Sequence, residues 1–369
     1  RSGDGAIVVW KDQRARTNWD IYVQAIDRSG KMLWGEGGVP VCTNPAEQSA
    51  PAILSDGEGG VLVVWEDERT SSEHPDLYIQ RMDANGNPVW AINGIPVFHS
   101  DSLQSNSILI SDDTGGFYVV WWDVVGYDQW HIIAHRLDIK NGKPLWKAPI
   151  VVSPLEGMQG EPRVVGDGQG GIIIVWQLYD NFINDDLYAQ RIDRAGKKLW
   201  GKSGVPICNA LGIQKDASIV SDGHGGIVAV WRDERDVYSD VYAQRTGADG
   251  EPQWETNGIP ICVAGGHQEA PSLISVGEAG FRLSDGADEF FIAWLDYRED
   301  YGEKSSDAIY GQKVNWDGKT LWEKDGIPIC IADNEQQPPF VVQSESGELT
   351  VVWSDARSDL GDIYLYRIR

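Results

Sequence analysis

Long apolar runs, basic charge and catalytic signatures are what this sequence has least of, and each shortage removes a class of protein. No stretch of the 369 residues approaches the roughly 20 apolar positions of a membrane-spanning helix. Lys and Arg number 31 against 56 Asp and Glu, a net charge of −25. Simple repulsion disfavours nucleic acid and anionic membranes as partners, while cations and basic partners stay compatible. Charge of this size also fits an extracellular or periplasmic protein kept soluble by its own field. A Gly-x-Ser-x-Gly elbow, a His-Glu-x-x-His pair and a Walker loop are all absent. The histidines are scattered. Only His131 and His135 are close, and four positions along a strand sets them about 13 Å apart, too far to share a metal. The chain begins at Arg1 with no signal peptide, which fits a processed or excised segment.

Cysteine is scarce too. Cys42, Cys208, Cys262 and Cys330 all close the pattern Gly-Val/Ile-Pro-Val/Ile-Cys. Equivalent points on separate repeats lie beyond disulfide reach, so these thiols are expected to pack as small hydrophobes. Phe98 and Val152 take the same slot elsewhere, which argues for packing and against a metal.

What the chain has in quantity is repetition. A Val/Ile-rich run ending in Trp recurs at Trp10, Trp65, Trp121, Trp176, Trp231, Trp294 and Trp353, with spacings of 55, 56, 55, 55, 63 and 59 residues. In the copy from Pro51 to Phe98, Ala52–Ser55 reads as a short strand a, and Asp56-Gly57-Glu58-Gly59-Gly60 supplies a tight hairpin turn. Val61–Trp65 is almost wholly apolar, so strand b is expected to be covered on both faces. Asp76–Asp83 alternates apolar with polar as strand c, and a second Gly turn leads through Trp90 to strand d at Gly94–Phe98.

Four such strands cannot bury both faces alone, but stacked sheets bury them against one another. The expected fold is therefore all-β: a seven-bladed β-propeller of four-stranded antiparallel blades, filling residues 1–369 as one domain. Strand a of the first copy and strand d of the last are missing, so the terminal blade is composite or incomplete. The unit Gly-Gly-x-x-Val-Val-Trp-x-Asp-x-Arg, followed by Asp-Ile/Leu-Tyr-x-Gln-Arg-x-Asp-x-x-Gly-x-x-x-Trp, resembles propeller repeats of secreted bacterial surface proteins that often carry a C-terminal sorting domain. That resemblance implies export and a binding or scaffolding role. The stretch ending at Trp200 is similar, in architecture only, to the tryptophan-docking repeat of quinoprotein propellers. The sequence does not match the Ser-x-Asp-x-Gly-x-Thr-Trp boxes of sialidase-type propellers.

Residues present in every copy are explained by folding, so departures from the repeat carry the functional signal. Of 17 tryptophans, 13 fall in two recurring slots and read as core. The Trp-x-Asp-x-Arg unit reads as a repeated ion pair or turn cap, and the Gln that starts each new copy as a partner for loop backbone. Copies three and four break the pattern together on the b to c loops, where a binding face is expected. Copy three offers Trp122, Tyr127, Asp128, Trp130 and His131, and copy four Tyr179, Asp180, Asn181 and Phe182. Aromatic platforms beside amides and carboxylates suit a carbohydrate or peptide ligand. Copy six carries two insertions, Gly280–Glu289 and Glu299–Asp307, whose carboxylates are compatible with Ca²⁺ but lack the spacing of a dedicated loop. The expectation from sequence is thus an exported, non-catalytic module at the cell surface, binding carbohydrate or protein and needing no cofactor. The alternative is a glycoside-active propeller using paired carboxylates on the same rim.

Overall fold

The computed structural model describes residues 5–126, 129–179, 183–276, 289–298, 307–332, 335–344, 347–356 and 361–368. Those residues form 26 strands and no helix. The chain divides into two compact units, Arg1–Glu156 with copies one to three and Gly157–Arg369 with copies four to seven.

Copy five shows how one unit is built. Strand a is Gln214–Ser221, b is Ile227–Asp233, c is Asp240–Thr246 and d is Ile259–Cys262, joined in that order as an antiparallel sheet. Strand b is buried along almost its whole length, as expected of a strand covered on both faces. The first sheet of the chain has only b, c and d, and the last only a, b and c.

Each apolar core joins two consecutive sheets. In the first unit, one cluster links Ile21 and Val23 to Val63 and Trp65, and a second links Val64 and Ile79 to Val119 and Trp121. In the second unit, Val175 and Ala189 meet Ala229 and Trp231, Val230 meets Ile292 and Trp294, and Phe291 meets Val351 and Trp353. Within each unit, the strand b indole is thus the wedge that a sheet drives into the preceding one. Trp65, Trp121, Trp176, Trp231 and Trp294 are the largest fully buried side chains. Burying one such ring contributes about 4 kcal/mol at 25 cal/mol per Å².

The repeated Asp and Arg form a clamp behind that wedge. In copy two, Asp67 accepts hydrogen bonds from Trp65 Nε1 at 2.8 Å, from the Arg69 backbone N–H at 3.0 Å, and from Arg69 Nε and Nη2 at 2.8 and 2.6 Å. Arg69 also stacks over Tyr78 and donates to the Asn93 carbonyl on the following turn. Cys42 Sγ accepts from the same guanidinium at 3.2 Å, and its burial pushes the thiol up to about 12. The cysteines are free thiols.

Strand a differs from its expected bounds. It begins at Gln48 rather than Ala52, because the strand runs on through a bulge at Ala50, whose φ is +46°. The same bulge recurs at Asn106, Glu161, Asp216 and Ala270, all with φ between +47° and +56°. The Gln before each bulge is buried and ties down its connector; Gln48 Nε2, for example, donates to Ala46 O at 2.6 Å.

Candidate functional site

Of the residues singled out by sequence, Tyr127, Asp128, Asp180, Asn181 and Phe182 lie outside the described residues, as does most of the copy six insertions. Trp122, Trp130 and His131 belong to the first unit. The two indole rings lie against each other, centroids 5.6 Å apart and tilted by 42°, both half-buried. Their N–H groups and His131 Nδ1 are shut from solvent with no hydrogen-bond partner among the described residues. Tyr179 belongs to the second unit and ends strand b of copy four, Ile172–Tyr179.

The broken repeats leave a measurable gap in the clamp. In copies one, two, five, six and seven the strand b indole donates to its Asp. In copy four Leu178 replaces that Asp, and in copy three Asp123 instead accepts from Ser102 Oγ. Trp121 and Trp176 are the strand b indoles whose N–H finds no partner among the described residues. Each such orphan costs about 1 to 3 kcal/mol.

A polar cluster in the second unit fills the end of copies four to six where strand a starts and strand b ends. Their first strands, Met158–Gly166, Gln214–Ser221 and Gln268–Val276, lie against one another in turn. Glu161 and Asp216 occupy the bulge slot on two of them, exposed and at positive φ. Left-handed backbone at a non-glycine residue is strained, and such strain persists where surrounding structure enforces it.

The Tyr179 ring packs on Gly160, where a Cβ would fall 2.6 Å from Cε2, so any larger residue there would force the ring to shift. Burial, then the charges of Glu161, Asp185 and Asp216, push the Tyr179 phenol up to about 12. Tyr297 takes the same slot in copy six. It too is pushed up to about 12, by burial and then by Asp307, Glu269 and Glu335. Both phenols therefore keep their proton at neutral pH.

Between them, copy five supplies ions that neutralise one another. Arg232 bridges Glu234 at 2.8 Å and Glu269 at 2.9 Å, and Lys215 reaches Glu234 at 3.0 Å. Arg163 sits 3.6 Å from Glu161, both side chains nearly half exposed. Asp216 has no ion pair among the described residues. Gln177 donates to Asp185 at 2.9 Å. The described residues hold no cluster of three or more His, Cys, Asp or Glu arranged to bind a metal.

Sequence reading singled out Tyr179 but missed Glu161 and Asp216. The available signal was their place two residues after the recurrent Gln, where Ala50 and Ala270 stand in other copies.

Repeated antiparallel sheets wedged by strand b tryptophans define a β-propeller. No protein-family model and no curated protein sequence matches the chain. Its fold is similar to that of an ulvan lyase, a polysaccharide lyase solved with a -[GlcA(1-4)Rha3S]- ligand: TM-score 0.51 and 10% identity, covering 100% of this chain and 90% of that one. A Hadza microbial sialidase gives a TM-score of 0.45 at 12% identity over 95% of this chain and 74% of that. An α-L-arabinanase of Penicillium chrysogenum with arabinobiose gives 0.42 at 11%, over 73% and 83%.

The sequence expectation of a non-catalytic scaffold is corrected here: the structure whose fold is matched over the whole of this chain is named as a polysaccharide lyase, so the fold does not favour a scaffold over the glycan-active alternative. The likeness to surface-protein repeats stays one of motif alone. Among the described residues no helix is long and apolar enough to cross a membrane.

Proposed function

We propose that this chain is a glycan-active propeller enzyme acting outside the cell, with Glu161, Asp216 and Tyr179 as its working groups. The observation that carries the reading is a pair of exposed carboxylates, held at strained bulges on neighbouring first strands, whose charges both bear on one proton-bearing phenol. Cleavage of a glycosidic bond by hydrolysis needs two carboxyl groups, one giving a proton to the leaving oxygen and one activating water. Glu161 and Asp216 supply that pair. Tyr179, kept protonated, donates a hydrogen bond to a sugar hydroxyl and fixes the ring. The neighbouring cations are already matched to carboxylates, so the substrate class that fits is a neutral polysaccharide.

Release of reducing ends from a panel of neutral and uronate polysaccharides tests this, with ultraviolet absorbance of the products separating hydrolysis from elimination. Glu161→Gln and Asp216→Asn should each lower the rate by about 100-fold or more with unchanged circular dichroism. Absence of cleavage on the whole panel, or full activity in both variants, removes the proposal. Trp122 with Trp130 is carried as a separate sugar contact, tested by the binding of Trp130→Ala to the same panel.

A further inference from the structure

Strand c opens on a buried aspartate in copies one, two and five, where Asp20, Asp76 and Asp240 are 4%, 2% and 5% exposed. A carboxylate so placed needs donors. Asp20 accepts from the Asn18 amide at 2.9 Å, and Asp76 has Thr70 Oγ1 and His99 Nδ1, both at 2.9 Å. The half-buried Asp186 of copy four accepts from Asn184 at 3.2 Å. Asp240 has no hydrogen-bond or ion-pair partner among the described residues.

Substitutions in copy five account for the difference. The slot of Asn18, two residues before the aspartate, holds Tyr238, and the slot of His99, just after strand d, holds Val263. The slot of Thr70, next to the clamp arginine, holds Asp236, so a donor has been exchanged for a second carboxylate. Asp236 is exposed. Nor is the clamp free to help: Arg235 donates to Asp233 at 2.8 and 2.6 Å and to the Asn257 carbonyl at 2.8 Å. Burial, then the charges of Asp236, Asp233 and Asp325, oppose the ionised form of Asp240, against Arg235 in its favour.

We propose that Asp240 and Asp236 hold a hard divalent cation, Ca²⁺ or Mg²⁺, at the b to c loop of copy five. Two carboxylates match its charge. Their oxygens suit a hard ion rather than a soft one, and the exposed side of the pair leaves water to complete the shell. The cation does for Asp240 what Asn18, Thr70 and His99 do for its counterparts, and ties the loop to the start of strand c. Glu161, Asp216 and Tyr179 take no part, so the site stands or falls apart from the proposed cleavage.

Thermal unfolding at pH 8, in EDTA and in about 10 mM CaCl2 or MgCl2 at equal ionic strength, tests the site. The better-fitting ion should raise the unfolding temperature of the wild type by about 3 °C or more. Asp240→Asn should be insensitive to both ions, and Asp236→Asn, altered only at an exposed position, should need at least about 10-fold more cation for the same shift. Asp249→Asn removes an exposed carboxylate from the c to d turn of the same copy and should respond as the wild type does. The proposal falls if neither ion shifts the wild type, or if either Asp240→Asn or Asp236→Asn responds as fully as the wild type. It falls equally if Asp249→Asn loses the response, which would mark general screening of the −25 charge.

Discussion

His135 stands where five other copies carry a Gln, and the difference has a pH signature. Gln80 shows the usual role: Nε2 donates to Ala91 O, while Oε1 accepts from the Trp90 and Arg81 backbone N–H groups. His135 cannot bridge both, and its Nδ1 has no partner among the described residues. Burial lowers the imidazole to about 4. The unfolded chain takes up a proton near pH 6.5 that the folded chain refuses until about 4, so stability falls as pH drops through that window, by about 3 kcal/mol in full. His135→Gln should abolish this acid loss, checked by unfolding at pH 7 and pH 4.5. Asp240 runs the other way. Burial, then Asp236 and Asp233, raise it to about 7, so stability present below pH 3.8 is lost as pH rises through 7. Asp240→Asn should therefore stabilise the protein at pH 8 by up to roughly 4 kcal/mol and leave it unchanged at pH 3.

At the scale of strands, two tryptophans of equal burial should respond unequally to the same substitution. Trp231 and Trp176 are both fully buried, but only Trp231 has a carboxylate on its indole nitrogen. Trp→Phe removes similar ring area in each case. At Trp231 it also strips a partner from buried Asp233, so Trp231→Phe should cost about 1 to 2 kcal/mol more than Trp176→Phe in denaturant unfolding. Equal losses would mean that the clamp adds nothing to the wedge. The strands themselves were legible in the sequence because one face pattern recurs at a near-constant interval, and a buried strand between glycine turns has few other readings. The bulge was not. Nothing in Gln48-Ser49-Ala50 announces a left-handed residue; the spacing from the recurrent Gln aligns Glu161 and Asp216 with Ala50, but only the backbone shows that this slot is a strained bulge. The reading looked for function in loop aromatics and so reached Tyr179 without its carboxylates.

For the molecule as a whole, charge decides what can approach. Blade-like repeats specify a fold that unrelated activities share, which is why composition and period reached the architecture but not the activity. A net charge of −25 is a stronger guide to substrate. It repels uronate and sulfated polymers at long range, and the cations on the first strands and strand b of copies four and five offer no local compensation, since Arg163, Lys215 and Arg232 each already face a glutamate. Salt screens such repulsion over about 10 Å at 0.1 M and leaves an uncharged polymer untouched. Cleavage of a neutral polysaccharide should thus be nearly independent of ionic strength, whereas residual kcat/KM on a uronate polymer should rise several-fold between low salt and about 0.15 M. Replacing Glu234 by Gln frees Lys215 and part of Arg232, and should raise the uronate rate at low salt while sparing the neutral one. A wild-type protein that cleaves uronate polymers faster than neutral ones at low salt would show that a cation on this face escapes its glutamate, and the assignment of substrate would reverse.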